Sequence, residues 1–397
     1  MTGSVQVPRL PTERKCPFSP PVGLAELREE TPVTRALFES GREGWLFTGY
    51  DEVRTLLRDP RFSVKVPHSM HSLEEGPPKP GRGSLLWQDA PDHTTDRKLL
   101  AKEFTVRRMQ ALTPRIQQIV DAHLDAMAAM PQPVDLVEAF AIPVPSMVIS
   151  SLFGVPVEEL ESFQSAAADM MRVDIDQEAT YAAGARITGS LYQLIQAKKA
   201  QPGDDLLSAL VTMDDPDGVV DDMFLVTAAA TLLIAAHDTT ACMIGLGAAL
   251  LLDRPDELAK LRADPSLIGN TVEELLRYLT IGQRGAERVA LEDVRIGDVV
   301  VKEGEQVVAH GLAANFDPAL VEDPERFDIS RRPSAHLAFG FGPHQCIGQQ
   351  LARIELQIVF QSLFARFPTL ALAVPVEELP FRHEMVFYGV HELPVTW

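Results

Sequence analysis

A cysteine in a glycine-rich loop is the residue of this sequence best suited to chemistry. Cys346 follows the letters FGFGPHQ, and the glycines allow the backbone to adopt positive φ and to approach a flat ligand closely. A helical pattern begins directly after the cysteine and ends before Pro368. The partial positive charge of a helix N-terminus favours the thiolate, which is the form of cysteine that binds metals.

Three other interpretations of this loop are open at this point. A single cysteine often serves only as a small buried hydrophobic residue. The Gly-Phe-Gly letters could begin a dinucleotide-binding turn, but Gln345 occupies the third glycine position and no βαβ pattern precedes it. His336, His344 and Cys346 could be zinc ligands, but they lack ligand pairs at the spacing of a zinc finger.

A second set of reactive residues interrupts a long apolar stretch. Residues Met223–Leu252 contain one charged residue, Asp238, which is followed by Thr239. The stretch is long enough to span a membrane, but a carboxylate at mid-bilayer is costly and the flanks, Asp221-Asp222 and Asp253-Arg254, lack the expected basic bias. We therefore expect a helix buried in a globular protein. The hydroxyl could simply bond to the preceding turn, or the acid and the threonine could form a proton relay.

The spacing in the cysteine loop carries a family resemblance. Five residues match the F-x-x-G-x-H-x-C-x-G haem-binding loop of the cytochrome P450 family: Phe339, Gly342, His344, Cys346 and Gly348. The chain resembles the soluble bacterial class, in particular the actinomycete hydroxylases of secondary metabolites and steroid-like compounds. The resemblance implies a mainly α fold with a large helical domain and a small β-rich lobe, and a haem between the long central helix and the Cys loop. It implies a single domain over 1–397, with β-rich portions at approximately 22–65 and 280–335.

The resemblance also implies a set of cofactor-binding residues. The cofactor is heme b with the thiolate of Cys346 as axial ligand to iron, and O2 is the co-substrate. Four residues correspond to those that bind the haem propionates in the family: His93, Arg97, Arg288 and His344. Phe339, Gly348 and Ala235 are expected to contact the haem. Judged without the family, His93 and Arg97 could be a solvated pair on one helix face.

Asp238 and Thr239 match the acid and threonine that activate oxygen in this family. Ala236 stands where relatives usually have glycine, and its methyl group is expected to narrow the groove for oxygen without removing the relay. Phe316 stands where relatives commonly have arginine, a difference that we interpret as structural.

A third motif has a structural role in the family. Glu274 and Arg277 match its E-x-x-R sequence, and the spacing to Cys346 assigns Arg331 as the further arginine of that cluster. Pairs three residues apart also occur on ordinary helix surfaces, where they contribute little to stability.

Candidate substrate contacts follow from the resemblance and are the least specific part of the pattern. They are Trp87, Met170, Met171, Ile234 and Arg284. The methionines could equally be ordinary core residues. Arg284 replaces an apolar residue of the family, and it either meets an acidic or strongly polar group of the substrate or pairs with Glu287 at the surface.

Composition limits the partners and the compartment. A net charge of −20 argues against nucleic acid, because phosphate binding needs a basic face. Three scattered cysteines are too few for a disulfide framework, and the N-terminus has no apolar leader or anchor. We therefore expect a cytoplasmic monomer without a membrane partner. Since no flavin or nicotinamide motif occurs, electrons are expected from ferredoxin and ferredoxin reductase. A basic docking patch could form from Lys98, Lys102, Arg107, Arg108 and Arg353, although each of these could equally be an ordinary surface charge.

Taken together, the residues and the resemblance predict a haem-thiolate monooxygenase. It would insert one oxygen atom from O2 into a C–H or C=C bond of a lipophilic small molecule, such as a polyketide, a macrolide or a steroid-like metabolite. Two alternatives use the same fold: a peroxide-driven or non-oxygenating haem enzyme, and a haem-binding sensor without turnover.

Residue periodicity predicts the main elements. We expect helices over Tyr50–Arg58, Val106–Met130, Leu136–Phe153, Met223–Leu252 and Thr271–Tyr278, and a small sheet within Leu291–Val308. Leu24–Ser40 is expected to form a helix and then a turn.

Overall fold

The structure is a computed structural model that describes residues 7–70, 81–156, 165, 177–213, 215 and 218–397. The predicted substrate contacts Met170 and Met171 lie outside these residues. The α-helices of the described part are α1 (Leu24–Glu30), α2 (Tyr50–Arg58), α3 (Asp92–Ala101), α4 (Val106–Ala111), α5 (Thr113–Ala128), α6 (Pro143–Phe153), α7 (Gln177–Ala200), α8 (Leu206–Val211), α9 (Asp222–Asp253), α10 (Pro255–Ala263), α11 (Ile268–Leu279), α12 (Gly311–Asn315) and α13 (Gln349–Arg366).

The strands are short, and they contain fewer residues than the helices do. They are β1 (Val33–Leu37), β2 (Glu43–Phe47), β3 (Phe62–Ser63), β4 (Val134–Asp135), β5 (Ala286–Ala290), β6 (Val294–Ile296), β7 (Val299–Val301), β8 (Gln306–Ala309), β9 (Ala371–Leu372) and β10 (Pro394–Thr396). The fold is therefore mainly α, as the sequence predicts.

The chain divides into two compact units. The first comprises Met1–Pro80, Leu86–Thr94 and Glu274–Cys346, and the second comprises Gly81–Leu85, Thr95–Glu273 and Ile347–Trp397. The first unit contains a five-stranded sheet in the order β1-β2-β8-β5-β3, in which only β2 and β8 run parallel. Its strands fall within the two portions that were expected to be β-rich.

The core of the first unit lies where α2 packs beside this sheet. Phe47, Val53, Leu56 and Val307 are at most 1% exposed and belong to one apolar cluster. The apolar residues of α2 recur at helical spacing, so one face of the helix is buried and the other carries its charges.

Strand β1 corrects the prediction for Leu24–Ser40. The helix α1 ends at Glu30, and Val33–Leu37 then pairs antiparallel with β2 instead of forming a turn. Pro32 explains the early end of the helix, because the residue before a proline is disfavoured in the α conformation. The β-branched residues Val33 and Thr34 then favour a strand.

The second unit is organised around α9, a helix of 32 residues that packs against α6, α7 and α13. It is the one helix of the described ranges that is long and apolar enough to span a membrane, but 67% of its most apolar window is buried inside the protein. A helix that is apolar all round needs such burial, so α9 is a core helix.

Prolines divide two of the predicted helices. The expected helix over Val106–Met130 is in fact α4 and α5, with Pro114 in the first turn of α5. The expected helix over Leu136–Phe153 is a π-helical turn, Val137–Ala141, followed by α6, which begins at Pro143. Proline has no N–H to donate within a helix and is accepted in the first turn, so these helices restart at the prolines.

Candidate functional site

The loop before Cys346 has the backbone conformation that its glycines predict. Gly340 and Gly342 have φ of 68° and 74°. A Cβ atom at Gly342 would lie 2.8 Å from the carbonyl oxygen of Leu57, so this close approach to α2 requires glycine. The amide of Cys346 donates to the carbonyl oxygen of Phe339 over 2.8 Å, and the thiol of Cys346 is exposed.

The sequence after the cysteine places it close to a helix start. Gly348 is the N-cap of α13, so Cys346 lies two residues before the cap. A thiol at this position experiences the positive end of the helix dipole, which favours the thiolate.

Two histidines of the first unit stack on each other. The rings of His93 and His344 have centroids 4.0 Å apart and planes at 30°. His93 is 2% exposed. The predicted partner Arg97 lies on α3, one turn after His93, and is partly exposed.

Glu274 and Arg277 form a buried ion pair in the same unit. Arg277 donates Nε and Nη2 to the two carboxylate oxygens of Glu274, over 2.8 and 2.9 Å, and both side chains are almost fully buried. Arg331 Nε lies 3.4 Å from Glu274 Oε1. The remaining donors of Arg277 and Arg331 bond to backbone carbonyl oxygens, so the cluster fastens α11 to the segment 315–326.

The ring of Phe316 packs on this cluster. Its centroid lies 5.1 Å from that of Tyr278, and the guanidinium of Arg277 lies 5.3 Å from it. An aromatic face is a favourable neighbour for a buried guanidinium. This contact gives Phe316, which stands where relatives commonly have arginine, a structural role.

In the second unit, Asp238 and Thr239 lie at the middle of α9. The hydroxyl of Thr239 donates to the carbonyl oxygen of Ala235 over 2.7 Å, which is the bond to the preceding turn that the sequence allowed. The hydroxyl oxygen keeps its lone pairs as acceptors. Asp238 accepts hydrogen bonds from Arg382 over 2.9 and 3.2 Å.

Comparisons with known proteins show which family this chain resembles. The cytochrome P450 family model matches residues 177–372. Cytochrome P450 105C1 of a Streptomyces species is 45% identical over 97% of each chain, and pentalenic acid synthase of Streptomyces avermitilis is 42% identical over 99% of this chain and 98% of its own. A crystal structure of CYP105P1 in complex with filipin I is 71% identical, covers 98% of this chain and 99% of its own, and superimposes with a TM-score of 0.96.

The chain belongs to the cytochrome P450 family. The predicted family, fold class, enzyme class and cofactor are thereby confirmed: P450s are monooxygenases that carry haem with thiolate-bound iron and use O2 as co-substrate.

The buried Arg288 fits the carboxylates of a P450 haem. Its side chain donates Nη1 to the carbonyl oxygen of Glu287 over 2.7 Å, and it is 9% exposed. Burial lowers the pKa of Arg288 to about 10, against the opposing charge of Asp89. Among the described residues no carboxylate lies within 4 Å of this guanidinium. Asp89 accepts from Ser63 Oγ and Val64 N instead, so Arg288 keeps donors for an anionic ligand.

Within the part of the chain that the structure describes, no group of three or more His, Cys, Asp and Glu residues could hold a metal ion. His336 instead accepts from the amide of Ala338, over 3.3 Å.

The predicted substrate contacts have different surroundings. Trp87 is 39% exposed, while Ile234 and Ala235 lie on α9 with partial exposure. Arg284 forms an ion pair with Glu39, with Nε 3.3 Å from Oε2, and its side chain is 20% exposed. Glu287, which the sequence offered as its partner, accepts from Ser69 and Met70.

Sequence reasoning missed two partners of the residues around Asp238. Arg382 is separated from Asp238 by 144 positions, and no periodic pattern connects them. His237 Nδ1 lies 2.6 Å from Ser146 Oγ, which donates its own proton to the carbonyl of Ile142. Burial lowers the pKa of His237, which favours the neutral imidazole, and its contact with Ser146 connects α9 to α6. The one feature of the sequence that could have indicated this contact is a histidine within an apolar helix.

Proposed function

We propose that this P450 inserts one oxygen atom from O2 into a C–H or C=C bond of a lipophilic polyketide, with Cys346 as the axial ligand. The observation that carries the proposal is the position of the exposed Cys346 thiol after a loop with two positive-φ glycines and before the N-cap of α13. When bound, haem with a thiolate ligand supplies the electron density that favours O–O cleavage.

The surrounding residues would hold the cofactor. Arg288, His93, His344 and Arg97 provide cationic or hydrogen-bonding groups for two propionates, and the planar fork of arginine matches a carboxylate. Backbone N–H groups of the loop would donate toward the Cys346 sulfur and lower its basicity. Phe339 and Gly348, seven residues before and two residues after Cys346, would contact the haem.

Asp238 and Thr239 would deliver protons to the reacting oxygen. The carboxylate would take up a proton from solvent and pass it on toward the reacting oxygen, which returns the carboxylate to its charged form. The threonine oxygen would accept a hydrogen bond while its own proton is held by Ala235. Ala235, one turn before Thr239, would contact the haem with its small side chain. A small side chain at this position would leave room for O2.

The substrate class is supported by one relative. The protein 71% identical to this chain was solved with filipin I. We therefore propose a polyketide macrolide as substrate. A preference for a steroid-like compound would contradict this choice. Trp87, Ile234, Met170 and Met171 would supply apolar contacts, and Arg284 would meet a polar group.

Ferredoxin and its reductase would supply the electrons. Lys98, Lys102, Arg107 and Arg108 are exposed in the second unit, although Arg108 also pairs with Glu103. Arg353 is bound to Glu273 by two hydrogen bonds, over 2.6 and 3.1 Å, so it contributes less free charge to a docking surface. A cytoplasmic monomer is consistent with these roles.

The first test is the absorption spectrum of the reduced protein with carbon monoxide. We expect a strongly red-shifted Soret band in the wild type and in Cys16→Ser, and loss of that shift in Cys346→Ser. A retained shift in Cys346→Ser would contradict the assignment of the axial ligand.

The second test is ligand titration. We expect filipin I and related macrolides to displace the sixth ligand of iron and move the Soret band at lower concentrations than steroids do. Product formation with ferredoxin, ferredoxin reductase and NADPH then separates a monooxygenase from a sensor, since a sensor would bind the ligand without consuming reducing equivalents. A steroid preference would refute the macrolide assignment alone.

A further inference from the structure

Arg382 holds both carboxylate oxygens of Asp238. Its Nη1 donates to Oδ1 over 2.9 Å and its Nη2 to Oδ2 over 3.2 Å, in the two-pronged geometry that fixes a carboxylate most firmly. The side chains are 13% and 17% exposed, so water screens this pair only weakly.

The backbone of Arg382 is itself fixed. Its amide donates to the carbonyl oxygen of Gly389 over 2.9 Å, and the amide of His391 donates to Pro380 over 2.8 Å. Phe381 and Val390 form a β-bridge between these bonds. Arg382 therefore extends from a hairpin, 380–391, whose two sides are bonded to each other.

The same guanidinium contacts a second residue of α9. Nη1 of Arg382 lies 3.1 Å from Sγ of Cys242, which follows Asp238 by one helical turn. Cys242 is 3% exposed, and burial raises the pKa of its thiol, so it is a neutral acceptor. A Cβ atom at Gly389 would lie 2.9 Å from this sulfur, which shows how closely the hairpin approaches α9.

We propose that Arg382 is a positioning residue for Asp238, which it holds in one rotamer with both oxygens directed to the guanidinium. The inference rests on the proposed function, because it assigns to Asp238 the role of proton donor and acceptor. The fork uses one lone pair of each oxygen, and the thiol of Cys242 donates to Oδ2 over 4.0 Å, so Oδ1 keeps a lone pair to exchange a proton with water. Without Arg382 the carboxylate can rotate, and the distance over which it transfers a proton is no longer fixed.

The test compares Arg382→Met, Arg382→Lys and Asp238→Asn with the double variant Arg382→Met/Asp238→Asn. In Arg382→Met we expect product formation to fall about tenfold, because a small misplacement of a reacting group is costly. We also expect more hydrogen peroxide per NADPH and a larger solvent isotope effect. Arg382→Lys restores part of the rate, since it keeps the charge and loses the fork.

The double variant decides whether Arg382 acts through Asp238. We expect Arg382→Met to cause no further loss in the Asp238→Asn background, whereas a merely structural arginine would lower the rate equally in both backgrounds. Arg366→Met is the matched control, because Arg366 forms an exposed ion pair with Asp125. Its rate and isotope effect should equal those of the wild type.

Infrared spectroscopy of the ferric, substrate-free protein gives a readout without turnover. The S–H stretching band of Cys242, identified by its loss in Cys242→Ala, should shift in Arg382→Met and stay unchanged in Arg366→Met. An unshifted band, or additive losses in the double variant, would overturn the inference while a red-shifted carbon monoxide spectrum still supports the proposed function. Loss of that spectrum in the wild type would instead overturn the proposed function.

Discussion

At the scale of single residues, Thr239 shows how one hydroxyl can serve the helix and the chemistry together. Its proton is donated to Ala235 along the helix, so the oxygen faces its other neighbours as an acceptor. Thr231, two turns earlier on α9, makes the same bond to Thr227 over 2.8 Å. The two threonines therefore differ in position and not in local bonding.

Thr239→Ala should separate binding from proton delivery. We expect unchanged haem content and ligand affinity, a fall in product of about a hundredfold, and diversion of reducing equivalents to hydrogen peroxide, because general-acid groups contribute on this scale. Product and peroxide per NADPH measure the effect. Thr231→Ala, which loses the same type of bond, should stay tightly coupled, and tight coupling in Thr239→Ala would rule out the relay.

Arg284→Ala tests the predicted polar contact with substrate. Since Arg284 pairs with Glu39, its removal could act through that pair alone. We expect Arg284→Ala to weaken binding of hydroxylated or carboxylated ligands about tenfold, the loss of one hydrogen bond to a charged group, and to leave apolar ligands unaffected. Spectral titration of both ligand types provides the measurement. Glu39→Gln is the control, and an equal effect there would limit Arg284 to the ion pair.

At the scale of elements, the segment 81–85 is fastened to α3 and α9. Asp96 of α3 is fully buried and accepts from Arg82 Nε over 2.9 Å and from the amide of Gly83 over 2.7 Å. Gly83 has φ of 88°, and a Cβ atom there would lie 2.6 Å from the carbonyl oxygen of Phe224. The carboxylate of Asp96 thus fixes the segment at Gly83, a position where the backbone leaves no room for a side chain.

Asp96→Asn should release this segment. The Arg82 side chain is 38% exposed and stays solvated in the variant, so the cost comes from weakening the hydrogen bonds to a charged, buried acceptor, about 2 kcal/mol of unfolding free energy. We expect this loss in denaturant unfolding, and faster hydrogen exchange at the amide of Gly83. Asp125→Asn, which breaks an exposed pair with Arg366, should change neither quantity appreciably. Unchanged exchange at Gly83 in Asp96→Asn would contradict this description.

At the scale of the whole molecule, a net charge of −20 coexists with buried carboxyl groups, and Glu355 differs from Asp96 and Glu274 in that no arginine pairs with it among the described residues. Glu355 of α13 is 2% exposed, and its Oε1 has no hydrogen-bond partner within the described residues. Burial raises the pKa of Glu355 from 4.5 to about 8. The folded protein therefore keeps this proton at pH values where the unfolded chain has released it.

Glu355→Gln should make the folded state more stable near neutrality. Because the folded pKa is raised, the wild type loses stability as pH rises from about 4.5 to about 8. At pH 7 the loss from this group is about 3 kcal/mol, at ~1.4 kcal/mol for each pH unit above the unfolded pKa. The free energy of unfolding should differ less between pH 5 and pH 8 in Glu355→Gln than in the wild type. The exposed Glu378→Gln serves as control, and equal pH slopes in all three proteins would refute the prediction.

The sequence by itself determined the family, the cofactor and the main elements. The cysteine loop is contiguous, so its spacing alone indicates haem, and the length and composition of Met223–Leu252 predict α9 to within a residue at each end. Helix α2 was likewise predicted with its observed bounds, because its apolar spacing is regular and Pro60 follows it. The divided helices and β1 were missed where prolines override the apolar pattern.

Only the tertiary structure decided which distant groups are partners. The pairs Asp238–Arg382, His237–Ser146 and Asp96–Arg82 connect elements that no periodic pattern relates. A buried polar group needs a partner, and the sequence shows that need without showing which residue meets it. The partner depends on how helices and hairpins pack, which is a property of the folded chain as a whole.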